Sequence, residues 1–204
     1  MDSSIRTSIW QQFGASIDML DNAMNACPDE LWRYRLWEDP SERPEYSEFW
    51  YRVYHTLFWL DLYLTGVEEG FAPPAPFTRI EADDDLPDRP YTKAELQSYL
   101  DYARRKCQAT LEALTDEKAS QHCTFGWGDI NFLELQLYSM RHVQEHAAQL
   151  SLLLGQKVFR PRIGLQKRRA KPIITKRGLA LHRDFLYACS VHAARRQGDV
   201  IPNK

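Results

Sequence analysis

Apolar residues recur at every third or fourth position through most of the first 156 residues, and this spacing divides the chain into four helices. The first is expected from Ser4 to Asn25, where Ile5, Ile9, Phe13, Ile17, Leu20 and Met24 draw one apolar face and Pro28 blocks continuation. The second is expected from Ser47 to Thr65, with Ser47 as N-cap and Gly66 as the stop. It is apolar nearly all round, with Phe49, Trp50, Val53, Leu57, Leu60 and Leu64 on one side and Tyr51, Phe58 and Leu62 on another, so it belongs in the middle of a bundle. His55 lies in line with Tyr51, Phe58 and Leu62 and is expected to point into packing. The third helix opens on a capping box, Thr92-Lys-Ala-Glu95, and carries Leu96, Leu100, Ala103, Cys107, Leu111 and Leu114 on its apolar face. The fourth is expected from about Asp129 to Gly155. Its polar strip of Asn131, Glu134, Arg141, Glu145 and Gln149 leaves His142 and His146 in one line with Leu135 and Leu153, facing inward.

Between the second and third helices, residues 66–91 hold five of the eleven prolines and the acidic cluster Asp83–Asp85. This reads as a long crossover, partly ordered over the bundle end. Residues 116–128 read as a turn-rich connection around Gly126 and Gly128, and no run alternates well enough to indicate a strand. The expected fold class is therefore all-α, a four-helix bundle with a long crossover connection.

Charge separates the bundle from the C-terminal segment. Residues 1–156 carry 13 basic and 26 acidic side chains, a net of −13, whereas residues 157–204 carry 13 and 2, a net of +11. The expected organisation is a bundle over 1–156 and a basic extension over 157–204, possessing the dense run Gln166–Arg177. Such a run offers phosphate neutralisation without base readout, which makes nucleic acid a minor alternative partner for the tail alone. No stretch of eighteen apolar residues indicates a membrane span, and the N-terminus lacks the basic and apolar regions of a signal peptide. The four cysteines are widely spaced with no C-x-x-C, which fits a reduced, cytoplasmic setting and core roles.

The chemistry sits in His142-Val-Gln-Glu-His146. Histidines four apart share a helix face with Cβ atoms about 6 Å apart, and their rings can converge on one ion. His55 is the best third ligand, because it too lies mid-helix in a bundle-facing line. Three imidazoles leave a coordination position open, the arrangement of catalytic rather than structural zinc. The same five residues match H-x-x-E-H, with Glu145 as base, but that mechanism needs a downstream carboxylate ligand and no Glu follows Glu145. Tyr138, one turn before His142, reads as a packing residue, and His122 as a solvent-exposed one.

The amphipathic opening helix, the histidine in Tyr54-His-Thr-Leu-Phe-Trp-Leu, and the closing Arg141-His-Val-Gln-Glu-His146 with its Gln/Leu-rich end together resemble the DinB-like superfamily over residues 1–156. The family includes mycothiol-dependent isomerases and thiol transferases. The resemblance implies a four-helix bundle, His55, His142 and His146 as ligands to nickel or zinc, and often a homodimer. It also implies thiol transfer, isomerisation or hydrolysis on a small-molecule substrate, with a low-molecular-weight thiol as a cofactor of some members. A non-catalytic stress-response or binding bundle, with or without a structural ion, is the alternative the resemblance leaves open.

Overall fold

The computed structural model describes residues 1–83 and 85–158. Four long helices form the body: α1 (Ser3–Ala26), α2 (Phe49–Thr65), α3 (Lys93–Glu112) and, after a one-turn helix α4 (Asp116–Ala119), α5 (Phe132–Val158). Both α1 and α2 pack along α3 and α5, which puts α1 and α2 at opposite corners of the bundle. No described helix is long and apolar enough to cross a membrane. The basic extension beyond position 158, with Cys189, His182 and His192, lies outside the described residues.

α1 buries Phe13, Ile17, Leu20 and Met24, as the apolar pattern predicts, but its first turns stand clear of the core and Ile5 is half exposed. Asp2 caps it by accepting from the Ser4 backbone N–H at 2.7 Å. The start of α2 differs from expectation. Ser47 closes a 3₁₀ turn (Pro44–Ser47) with its hydroxyl on Pro44 O, and Glu48 takes the cap position without a side-chain cap bond. The Glu48 carboxylate is taken by Trp50 Nε1 at 2.6 Å and by Arg33. The orphan N–H groups of Phe49 and Trp50 instead donate to Tyr34 O and Trp32 O, supplied by the strand-like segment that runs alongside.

α2 stops where expected, at Gly66 in the left-handed conformation (φ 84°). A Cβ there would also lie 2.9 Å from the ring of Phe132, the first residue of α5. The crossover links Gly66 at the end of α2 to Lys93 at the start of α3. It runs back along α2, burying Phe71 against Phe58 and Phe77 against Tyr54, Tyr91 and Tyr99, and includes a short 3₁₀ turn, Arg79–Glu81. The Thr92–Glu95 capping box forms as the sequence indicates.

The connection before α5 is more ordered than expected. A hairpin, β1 (His122–Phe125) and β2 (Gly128–Asn131), pairs antiparallel with His122 opposite Asn131 and Phe125 opposite Gly128. Because residues 129–131 are spent on this ladder, α5 begins at Phe132 rather than Asp129, with the Asn131 side chain accepting from Glu134 N at 2.9 Å. It also continues through Gly155, which a helix interior tolerates at a cost of about 1 kcal/mol.

Two charged side chains sit within the apolar α2, Arg52 and Asp61. Asp61 is fully buried and is held by Lys106 Nζ and, at 3.0 Å, by the Tyr99 hydroxyl, which ties α2 to α3. Arg52 instead reaches His146 on α5.

Candidate metal centre

α2 and α5 run antiparallel, so that Arg52 and His55 meet His146 and His142 while Tyr63 meets Tyr138 farther along. Arg52, His55 and Trp59, at intervals of three and four, are the half-buried positions of α2 on one stripe. His55 therefore stands at the rim of the bundle, its side chain 21% exposed, rather than deep in packing. His142 is half-buried and His146 is buried.

The three rings meet. Their centroids lie 5.2 Å (His55–His142), 5.1 Å (His55–His146) and 4.5 Å (His142–His146) apart. His142 Nε2 is 3.2 Å from His55 Nε2 and 3.0 Å from His146 Nε2, and one ligating nitrogen from each ring lies within 4.8 Å of the others. A tetrahedral centre with bonds of about 2.0–2.1 Å spaces its ligand nitrogens about 3.3 Å apart. The donor set and its spacing thus fit one small divalent cation.

The far sides of two rings fix their tautomers. Nδ1 of His55 donates to Glu81 Oε1 at 2.6 Å, and Nδ1 of His146 donates to Gln149 Oε1 at 2.8 Å. A carboxylate or amide oxygen can only accept, so in both rings the proton sits on Nδ1 and the Nε2 lone pair faces the cluster. Lone pairs crowded to such distances repel unless a proton or cation lies among them. Burial, then Arg52 and the other two histidines, hold His146 well below the ordinary imidazole pKa, so it is neutral and ligand-competent at pH 7. Arg52 Nη2 lies 2.9 Å from His146 Nε2 and 3.2 Å from its Nδ1, with its guanidinium 5.4 Å from the Trp37 ring centroid. With Nδ1 protonated, the Arg52 bond falls on the Nε2 lone pair that metal coordination would use.

Aromatic side chains wall one flank. Trp59 lies against His55 and Tyr63, and Tyr63 against Trp127 and Tyr138. Tyr138 is thus a packing residue, as its place in the sequence indicates. Glu145 is half-buried on the strip flanking the site, and His122 is exposed on β1. On the other flank an open cleft of about 430 Å³ is bounded by Tyr34, Trp37, Leu153 and Lys157, and contains none of the three histidines. Cys27, Cys107 and Cys123 are buried, and burial raises all three thiols, Cys27 to about 11, so none is a thiolate at neutral pH.

Three further residues reach the cluster, and two of them carry little sequence signal. Glu81 lies 26 residues from His55 beside the acidic Asp83–Asp85 and looks solvated. Gln149 falls on what reads as a polar strip. Arg52 had the clearest signal, a cation inside an apolar helix.

A long-crossover helical bundle with a histidine cluster at the junction of two antiparallel helices defines the class of protein. The family model that matches the chain, over residues 12–150, is that of the DinB superfamily, and the chain belongs to this superfamily. All three histidines fall inside the matched span. No curated protein matches the chain.

Proposed function

We propose that this protein binds one divalent ion, nickel or zinc, through Nε2 of His55, His142 and His146, and uses it for thiol transfer or hydrolysis on a small substrate. The observation that carries this reading is the convergence of three imidazoles with two of their Nδ1 protons committed to oxygen acceptors. When bound, the ion supplies electrophilic polarisation and a lowered pKa for a water or thiol brought to it. Three neutral nitrogen ligands leave room for that reactant. The chain's own residues do the rest. Glu81 and Gln149 orient the rings, burial keeps His146 neutral, and the aromatic flank from Trp59 to Tyr138 limits water on one side. Among the described residues no cysteine supplies a reacting thiolate, since Cys27, Cys107 and Cys123 are buried and protonated, and the thiol is assigned to a low-molecular-weight cofactor.

One observation favours a non-catalytic binding bundle instead: Arg52 already bonds His146 Nε2, which a metal-free polar cluster also requires. Elemental analysis of the full chain purified without a histidine tag tests the metal site first, and turnover assays with low-molecular-weight thiols then divide enzyme from binding bundle. About one equivalent of nickel or zinc, lost in His55→Ala, supports the metal reading. Protein that takes up neither ion after loading leaves the non-catalytic bundle.

A further inference from the structure

Glu81 reaches the metal cluster from outside the helices that carry it. It belongs to the 3₁₀ turn Arg79–Glu81 in the crossover, is 5% exposed, and its carboxylate is met by three side chains of α2. His55 Nδ1 (2.6 Å) and Trp59 Nε1 (3.2 Å) donate to Oε1, and the Tyr51 hydroxyl (2.6 Å) donates to Oε2. Residues 51, 55 and 59 are successive i, i+4 positions, so one line of α2 presents donors to one buried carboxylate. Burial, followed by Glu81 itself, raises the Tyr51 pKa, which keeps that hydroxyl a donor. A carboxylate taken out of water costs several kcal/mol unless it is hydrogen-bonded, and charge-assisted bonds of this kind offset that cost.

We propose that Glu81 is a positioning residue of the metal centre: it sets the tautomer and orientation of His55 and thereby couples the conformation of the crossover to metal affinity. This rests on the metal reading above. With Nδ1–H held by Glu81, the His55 ring presents Nε2 toward His142, and the negative charge behind the ring makes Nε2 a stronger donor to a cation. Linkage makes the effect reciprocal. Whatever holds the 79–81 turn against α2 tightens metal binding, and metal binding holds that turn.

The test pairs metal affinity with a direct view of the ring. Zinc affinity is measured by chelator competition on the full chain for wild type, Glu81→Leu, Glu81→Asp and Tyr51→Phe. The His55 tautomer in metal-free protein is read from long-range ¹H–¹⁵N correlations. Glu81→Leu, which removes the acceptor, is expected to bind zinc roughly 10- to 100-fold more weakly and to lose the uniform Nδ1–H tautomer. Tyr51→Phe keeps the His55–Glu81 bond and should stay within about threefold of wild type, because outer-shell losses of that size follow the ligand's own partner. Should Glu81→Leu fold poorly, Glu81→Asp, which keeps the charge but shortens the reach, is expected to show the same loss in smaller degree. Wild-type affinity and tautomer in a Glu81 variant overturn the proposal, even if its melting temperature falls. If wild type binds no metal, the functional reading fails by itself, and the tautomer comparison still decides whether Glu81 sets the ring.

Discussion

Arg52 bonds the His146 nitrogen whose lone pair the proposed ion would use, so removing the arginine should tighten metal binding. The instructive substitution is Arg52→Met, which retains most of the aliphatic stem and deletes the guanidinium that lies over Trp37. Protonation contributes little to the effect. Burial is the largest cause of the low His146 pKa and survives the substitution, so His146 is neutral at pH 7 in both proteins. What changes is the cation itself. Nη2 is 2.9 Å from His146 Nε2, and an ion bound to the same nitrogen would sit about 2 Å from it, so a guanidinium that stayed in place would lie at most about 5 Å from the ion. Charges of +1 and +2 at that separation repel by about 1.7 kcal/mol in a water-like dielectric, and by more in a half-buried site. A guanidinium that swings away avoids the repulsion but gives up a hydrogen bond worth about 1 kcal/mol. Either route puts the gain in zinc affinity at roughly tenfold. Chelator competition at pH 7 measures it, and because the site is half-buried the gain should persist at raised ionic strength. Unchanged or weaker binding in Arg52→Met refutes the reasoning and makes Arg52 a support of the site rather than a competitor for it.

Two further outcomes concern the frame that holds the site. Lys106→Met leaves the fully buried Asp61 carboxylate without its cation and should destabilise the fold by about 3–5 kcal/mol in urea titration, whereas Lys106→Met combined with Asp61→Leu should recover most of that loss. Comparable stability of single and double variants would show that Asp61 is not held charged by Lys106. Gly66→Ala meets both a positive φ and the Phe132 ring 2.9 Å from its new Cβ, and should cost about 2 kcal/mol or more. A thermal melt within about 1 °C of wild type contradicts that reading of the α2–α5 junction.

The long helices are legible in the sequence because an i, i+4 pattern repeated over five or more turns has no rival period, and the histidine pair is legible because it falls on that pattern. The hairpin is not. Four-residue strands between a helical turn and a long helix provide too few alternations to distinguish from turn-rich connection, although Cys123 and Phe125 do face inward. The rim position of His55 was hidden for another reason: in a helix apolar on every side, hydrophobicity alone does not reveal which seam is half-open. Charge does. Arg52 and Asp61 interrupt α2, and a charged group inside an apolar helix needs a partner from a neighbouring element. Asp61 finds Lys106 on α3, and Arg52 meets His146 on α5. Those two residues therefore mark the two faces along which α2 packs, and Arg52 marks the one that carries the histidines. Glu81 carries no comparable mark, because it stands two residues before an acidic run whose Asp83 and Asp85 are exposed, and only the return of the crossover along α2 brings it to the line of Tyr51, His55 and Trp59. A candidate ligand can be read from its own helix; the group proposed to orient it comes into reach only through tertiary structure.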